Sequence, residues 1–137
     1  MLPYFSVKFG NAASSTHLQG SEAKHAVESA REQVAKSIGC EAQEIIFTSG
    51  STEAINLAIK GVYNIYQTKG NHIVTVETEH KAVLDTCKFL EKKGAEITCL
   101  KVDENGLISL QDLENAITEK TILVCVMYAN NETGVIQ

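Results

Sequence analysis

Phe47-Thr48-Ser49-Gly50-Ser51-Thr52-Glu53 joins a short apolar run to a helical pattern through small hydroxyl residues and glycine. The run at 44–48 predicts a strand, and the pattern at 52–67 predicts a helix. The first N–H groups of a helix lack acceptors within it, so those of Ser51, Thr52 and Glu53 would face the end of the sheet unpaired. Together with the helix dipole and the hydroxyls of Ser51 and Thr52, they predict a phosphate-binding site.

An ordinary helix start is the alternative interpretation of this stretch. Ser and Thr cap helices for structural reasons alone, and Ser51 or Thr52 taken singly would be assigned that role. The clustering of small hydroxyl residues around Gly50 favours the phosphate site, because glycine lets a ligand approach the backbone closely. These residues do not distinguish the phosphate of a nucleotide from that of another cofactor.

Apolar runs and helical patterns alternate along the rest of the chain. This order is typical of an α/β fold with a predominantly parallel sheet and helices on both faces. We predict strands at 44–48, 72–77, 96–101 and 122–128, and helices at 21–38, 52–67, 80–93 and 109–119. The last apolar run has no alternation, which predicts a central strand that is buried on both faces.

The composition is that of an ordinary soluble protein. Of the 137 residues, 44% are hydrophobic and 21% are charged, and the net charge is −5 without a cluster of basic residues. These values argue against direct binding of nucleic acid. No apolar run is long enough to span a membrane and no signal peptide is apparent, so we expect a cytoplasmic protein that contacts no membrane.

The 4 cysteines are spaced too widely for a metal or redox motif. Each lies in or beside an apolar pattern, so we expect mostly reduced core residues and no catalytic thiol among them. They are Cys40, Cys87, Cys99 and Cys125. The sequence predicts no metal site.

Two features indicate a piece of a larger domain. The helix at 52–67 is apolar nearly all round, which predicts that more protein covers it than this chain supplies. The apolar run at 122–128 is followed only by a polar loop that ends at Gln137, with no helix to cover the strand. We therefore expect a fragment.

Polar residues follow three of the predicted strands. In an open α/β sheet the ligand lies beyond the carboxyl ends of the strands, so these loops are the candidate binding elements. They are 49–52, 78–80 and 129–134, whereas 102–106 has the composition of a plain turn.

His80 begins a predicted helix directly after a strand. For a lone histidine a solvent-facing helix start is the ordinary interpretation, but this position favours a ring stacked on a planar ligand or a proton shuttle. The other histidines, His17, His25 and His72, have no such context and are assigned to the surface or to packing. Lys81 follows His80 into the helix, so we expect it in solvent.

Asn130 and Asn131 follow the most apolar strand. Asn is common in turns, and a turn is one interpretation. The two amides, with Glu132, are also well placed to hydrogen-bond an aromatic hydroxyl or a carboxylate. A phosphate site, a stacking histidine and an amide loop together favour pyridoxal phosphate over a nucleotide.

Three motifs in this order resemble one protein family. They are Phe47-Thr48-Ser49-Gly50-Ser51-Thr52-Glu53-Ala54-Ile55-Asn56-Leu57-Ala58-Ile59-Lys60-Gly61, Thr78-Glu79-His80-Lys81-Ala82-Val83-Leu84 and Asn130-Asn131-Glu132-Thr133-Gly134-Val135-Ile136-Gln137. They closely resemble the cysteine desulfurases of the NifS/IscS class, within the class V aminotransferase superfamily. The resemblance extends over essentially the whole chain, including 1–15.

The resemblance implies a role for each loop. Ser51 and Thr52 would bind the cofactor phosphate, and Asn131 would hydrogen-bond the pyridoxal 3-hydroxyl. His80 would stack on the pyridine ring and, as the catalytic residue, move protons. The chain, 1–137, would be part of the large domain of a fold type I pyridoxal 5'-phosphate enzyme, truncated at both ends, with 1–20 as a lead-in segment.

The resemblance also implies the activity of the whole enzyme. It would convert L-cysteine to L-alanine and pass the sulfur to one of its own cysteines as a persulfide. It would act as a homodimer and supply a sulfur-acceptor or scaffold protein, in iron–sulfur cluster assembly or tRNA thiolation. A related class V enzyme, such as a selenocysteine lyase or an aminotransferase, is one alternative, and a non-catalytic phosphate-binding or interaction module is the other.

The chain departs from the family pattern in several places. The family's early Asp-Asn-Ala-Ala-Thr-Thr segment is missing and is only imitated by Asn11-Ala12-Ala13, and Ser51 replaces the commoner alanine. The aspartate on the ring nitrogen, the Ser-x-His-Lys with the imine lysine and the loop with the persulfide cysteine would follow Gln137 in the family. We therefore expect the isolated chain to be inactive.

Overall fold

The computed structural model describes residues 2–14 and 16–137. They form two compact units, Met1–Phe47 and Thr48–Gln137. The first unit contains the helices α1 (Leu2–Ser6) and α2 (Leu18–Ile38) and a 3₁₀ turn at Ala42–Glu44. The second contains α3 (Ser51–Tyr66), β1 (His72–Val76), α4 (Lys81–Glu91), β2 (Glu96–Leu100), α5 (Leu110–Ala116) and β3 (Thr121–Val124).

The helix α2 begins earlier than the sequence pattern predicts. His17, which we assigned to the surface or to packing, is its N-cap, and its Nδ1 accepts the N–H of Gly20 at 3.0 Å. Gly39 ends the helix in the left-handed conformation, with φ 75°, as its position in the sequence predicts.

The predicted strand at 44–48 is wrong. Ala42–Glu44 forms the 3₁₀ turn, and residues 45–48 are not part of a strand. A strand needs a neighbour, and here the carbonyl of Ile45 accepts instead from Arg31 of α2, while the N–H of Glu41 donates to Glu44 Oε2 at 2.8 Å. The Arg31 guanidinium also lies 5.0 Å from the centre of the Phe47 ring.

The sheet of the second unit confirms the predicted α/β class. It has three strands in the order β2-β1-β3, and both pairs are parallel. All five residues of β1 are buried, and Ile73 and Val74 have no exposed surface. β1 is therefore the central strand.

The prediction that the last strand is central is wrong for this sheet. β3 ends at Val124, pairs with β1 alone, and leaves Val124 40% exposed. The apolar run does contact both faces, since Cys125 packs on the side of α3 and α4 and Val126 on the side of α5. Lack of alternation reports burial on two faces and does not fix the position of a strand within its sheet.

Helices cover both faces of the sheet, as predicted. Ile73 packs with buried side chains of α3 and α4, whereas Val74 and Val76 pack towards Leu113 and Ala116 of α5. This alternation follows from the two-residue period of a strand. The helix α5 begins after an N-cap at Ser109, whose Oγ accepts the N–H of Asp112 at 3.1 Å.

The helix α3 buries one side only. Ile59 and Tyr63 are 3% and 5% exposed and belong to the core, but Leu57 and Ile65 are 50% and 71% exposed.

The structure contains, among the residues it describes, no helix both long and apolar enough to cross a membrane.

Candidate functional site

Two of the loops highlighted by the sequence are joined by side chains. β1 and β3 are parallel neighbours, so their carboxyl ends share one edge of the sheet. Asn130 Nδ2 donates to the carbonyl oxygen of Thr78 at 3.0 Å, and the carboxylate of Glu79 accepts the N–H of Met127. The structure thus brings the loop of His80 together with the loop of Asn131.

The start of α3 lies at the same edge. Near its end, Tyr63 Oη donates to the carbonyl of Lys93 at 3.2 Å, directly beyond the end of α4. Lys60 Nζ lies 4.6 Å from the centre of the Phe89 ring, in the last part of α4. The two helices therefore run in the same direction, and both begin at the carboxyl edge of the sheet.

The start of α3 offers free hydrogen-bond donors. Its N-cap is Gly50, so neither the Ser51 nor the Thr52 hydroxyl caps the helix, which removes the ordinary interpretation of these residues. In the part of the chain that the structure describes, no acceptor binds the N–H groups of Ser51, Thr52 and Glu53 or the two hydroxyls. A side chain at Gly50 would meet nothing within 4 Å, so the space beside these donors is open.

The loop before α3 is held by its own hydrogen bonds. The carboxylate of Glu53 accepts the N–H and the Oγ–H of Ser49, both at 2.7 Å, and these bonds lower the pKa of Glu53. Thr48 Oγ1 donates to the carbonyl of Gly50 at 3.1 Å. Its geometry is set without a ligand, and the donors that point out of α3 suit a phosphate.

His80 is the N-cap of α4. Its Nδ1 accepts the N–H of Ala82 at 3.1 Å, and its ring is exposed. When the neutral ring uses Nδ1 as an acceptor, its proton is on Nε2. His80 therefore has one ring nitrogen fixed by the helix and the other available to a ligand.

The two asparagines differ in their contacts. Asn130 is used internally, since its Oδ1 accepts the N–H groups of Glu132 and Thr133, both at 2.9 Å. Asn131 is exposed, and within residues 2–14 and 16–137 its amide has no hydrogen-bond partner. The interpretation as a turn holds for Asn130, while Asn131 keeps a free amide.

Lys81 lies in solvent, as predicted. Its side chain is 81% exposed and pairs with Asp85 one turn further along α4. This pairing lowers the pKa of Asp85. Lys81 is thus not placed to bind a carbonyl group beside His80.

The sequence analysis missed Glu79. It is only 8% exposed, and burial raises the pKa of its carboxyl group, a rise that the N–H groups of Met127 and His80 oppose. Nothing in its neighbourhood in the sequence marks it, because Met127 is 48 residues away.

His72 is a packing residue, one of the two roles predicted for it, and the loop 102–106 has a partner elsewhere in the chain. His72 is 6% exposed, and its Nδ1 and Nε2 each lie 2.8 Å from a hydroxyl, of Thr121 and Thr98 respectively. Its buried ring bridges the two threonines at the amino end of β1, opposite the end where the polar loops lie. The 102–106 loop is more than a plain turn, because the Gln137 amide donates to the carbonyl of Gly106 at 2.7 Å.

The cysteines are free thiols. Cys87 is buried, which raises its pKa to about 11, and burial also raises the pKa values of Cys99 and Cys125. Cys99 is exposed, so the expectation of core cysteines fails for that residue. Among the described residues, no group of at least three His, Cys, Asp or Glu side chains could hold a metal ion.

Comparisons with known proteins agree on one family. The model of the aminotransferase class-V family matches residues 1–137. The chain is 58% identical over 137 residues to the cysteine desulfurase IscS of Rickettsia massiliae (strain Mtu5) and covers 33% of that relative. It is also 58% identical over 137 residues to the cysteine desulfurase IscS of Neisseria meningitidis serogroup A and covers 34% of it. The chain thus spans about a third of the length of these relatives.

Solved structures give the same result. A NifS-like protein superposes with a TM-score of 0.93 and 43% identity, covering 99% of this chain and 37% of that one. A structure described as SspA in complex with cysteine has a TM-score of 0.90 and 40% identity, covering 98% of this chain and 39% of the other.

Proposed function

Since the chain belongs to the aminotransferase class-V family, we propose that it forms the cofactor-binding part of a pyridoxal-phosphate-dependent cysteine desulfurase. The observation that carries this proposal is its 58% identity, over all 137 residues, to relatives named cysteine desulfurase. The position of three polar loops at the carboxyl edge of the sheet supports it, because ligands of open α/β sheets bind there.

We assign the phosphate of the cofactor to the start of α3. The free N–H groups and hydroxyls of Ser51 and Thr52, at the positive end of a sixteen-residue helix, fit a dianionic group. The open space beside Gly50 lets the group approach the backbone. No basic side chain is needed for this contact, since the donors are neutral and already oriented.

We assign the ring of the cofactor to His80 and Asn131. The exposed imidazole of His80 would stack on the pyridine ring, and the free amide of Asn131 would hydrogen-bond the 3-hydroxyl group. His80 Nε2 is the nitrogen that would donate and accept protons, because Nδ1 is held by the N–H of Ala82. Pyridoxal phosphate, when bound, supplies an electron sink for the substrate's bonding electrons.

The substrate of the whole protein would be L-cysteine, and the products L-alanine and a persulfide. A neighbour described as a complex with cysteine supports this choice over a selenocysteine lyase or an aminotransferase. We propose that residues outside these 137 supply the lysine that holds the cofactor and the cysteine that receives sulfur, since the matched relatives are longer. We also propose a cytoplasmic homodimer that delivers sulfur to an acceptor or scaffold protein, in iron–sulfur cluster assembly or tRNA thiolation.

Two assays test this function. The complete gene product should release alanine from L-cysteine in the presence of pyridoxal phosphate, and the variant His80→Ala should lose this activity while its fold is retained. The 137-residue chain alone should bind pyridoxal phosphate weakly and should yield no lysine adduct after borohydride reduction. Activity restricted to L-selenocysteine, or a borohydride adduct on Lys81, would overturn the proposal.

A further inference from the structure

The carboxylate of Glu79 is buried between the two loops that carry His80 and Asn131. Glu79 as a whole is only 8% exposed, although it lies just after the end of β1, at the carboxyl edge of the sheet. Burying a carboxylate is costly unless hydrogen bonds compensate it. Here the compensation comes from a main-chain N–H group, that of Met127.

This donor and its acceptor belong to different loops. Met127 lies in the segment that leads from β3 to Asn131, and His80 is the next residue after Glu79. One side chain therefore fixes the backbone of both loops. Main-chain donors cannot rotate away from their acceptor, so this contact sets the position of the two segments more firmly than a pair of side chains would.

A second bridge supports the first. Asn130 Nδ2 donates to the carbonyl of Thr78 at 3.0 Å, across 52 residues of sequence. His80 directly follows the bridging residue Glu79, and Asn131 directly follows the bridging residue Asn130. Each proposed contact to the cofactor ring is thus attached to a residue that ties the loops together.

We propose that Glu79 is a positioning residue that holds His80 opposite Asn131 before the cofactor binds. The inference rests on the proposed function, since it concerns the site of the pyridoxal ring. Glu79 does not touch the ligand in this role. It acts through the backbone N–H of Met127, which fixes the loop that carries His80 to the loop that carries Asn131, so its loss would affect the affinity for the cofactor and the orientation of the imidazole.

Glu77 provides a matched control. Its carboxylate also accepts a main-chain N–H, that of Val102 at 3.1 Å, but this donor follows β2 on the other side of β1. Glu77 is exposed, and among the described residues its carboxylate has no hydrogen bond to the loops of His80 and Asn131. Removal of Glu77 therefore tests the general effect of losing a carboxylate bridge at this edge.

The experiment compares Glu79→Ala, Glu79→Gln and Glu77→Ala in the complete gene product. Without cofactor, amide exchange of the peptide containing Met127 should become faster in Glu79→Ala and stay unchanged in Glu77→Ala. The dissociation constant for pyridoxal phosphate should rise about 10- to 100-fold in Glu79→Ala, because a shift of about 1 Å in the loops would misplace the groups that bind the cofactor ring. Glu79→Gln keeps an oxygen acceptor and should restore most of the affinity.

The outcomes separate this inference from the proposed function. A wild-type protein that neither binds pyridoxal phosphate nor produces alanine would refute the proposed function and, with it, the role of Glu79 towards the ring. An active wild type whose Glu79→Ala variant exchanges and binds within twofold of it would refute the positioning role alone. Equal losses in Glu79→Ala and Glu77→Ala would also refute that role.

Asn130→Ala covers the case in which Glu79→Ala fails to fold. This variant removes the second bridge and leaves the buried carboxylate paired. It should weaken cofactor binding in the same direction and speed up exchange around Thr78, whereas unchanged binding and exchange would count against the positioning role.

Discussion

Replacing Thr75 by Val should stabilise the protein. Thr75 lies in the central strand with 1% of its surface exposed, and within the described residues its Oγ1 has no hydrogen-bond partner. A buried hydroxyl without a partner costs about 1–3 kcal/mol, and valine has nearly the same shape without the hydroxyl. We therefore expect the free energy of unfolding to increase by about 1 kcal/mol or more in Thr75→Val.

Thr86 is the matched control for this substitution. It is 3% exposed, but its Oγ1 donates to the carbonyl of Ala82 at 2.7 Å. Thr86→Val loses this hydrogen bond and should lower the free energy of unfolding by about 1 kcal/mol. Two buried threonines with the same substitution thus have opposite expected signs, and the difference between them depends on the hydrogen bond alone.

Urea unfolding, followed by circular dichroism and extrapolated linearly, measures both changes. A cavity of about 260 Å³ adjoins Thr75 and is lined by residues that include Cys87, Leu84 and Ile97. A water molecule held there by Thr75 would give the hydroxyl a partner. A decrease in the free energy of unfolding of Thr75→Val, with an unchanged slope against urea, would therefore refute the reasoning.

Three further substitutions or treatments have defined outcomes. Thr52→Val should weaken pyridoxal phosphate binding about tenfold in a fluorescence titration, since a hydrogen bond to a charged group is lost. Ser51→Ala should change the affinity less, because alanine is the commoner residue at this position in the family that the sequence resembles. His72→Ala should lower the free energy of unfolding by about 2–3 kcal/mol in a urea titration, because it removes a buried ring and leaves the Thr98 hydroxyl without its partner, whereas the exposed His25→Ala should stay within about 0.5 kcal/mol. Cys87, with its pKa raised to about 11, should resist iodoacetamide in the native protein at pH 8, as mass spectrometry of the alkylated peptides would show.

The elements that the sequence predicts correctly are those with local causes. The helices follow from their own periodicity and from adjacent caps, such as Ser109 before α5 and Gly39 after α2. The strand predicted at 44–48 fails because a strand requires a partner, and Arg31 of α2 takes the carbonyl of Ile45 instead. The prediction that β3 is central fails for the same reason, since the order of strands is set by pairing between distant parts of the chain.

The candidate site, too, is only partly predictable from the sequence. The rule that ligands bind beyond the carboxyl ends of parallel strands identifies the loops of His80 and Asn131 from the sequence, whereas the 49–52 loop follows the predicted strand at 44–48, which does not form. The rule includes Glu79 within the 78–80 loop but predicts neither its role nor that of His72, because their partners are far away: Met127 lies 48 residues from Glu79, and Thr121 lies 49 residues from His72. Burial of a polar side chain depends on contacts between distant parts of the chain, and neither residue lies in a local sequence pattern that predicts it.

The structure also separates atoms that the sequence treats as equivalent. Ser49 and Ser51 are both small hydroxyl residues of one loop, yet Ser49 is used by the carboxylate of Glu53, while Ser51 has free donors within the described residues. In the same way, Nδ1 of His80 is used by α4 and Nε2 is not, and Asn130 is used by its own turn and Asn131 is not. A ligand can bind only donors and acceptors that the fold leaves unused. Each loop has one unused group, and a neighbouring group holds the loop in place through hydrogen bonds within the protein. This pairing of a fixed group with a free one is the physical reason to expect a preformed site at this edge, because the loops do not have to be reorganised when the ligand binds.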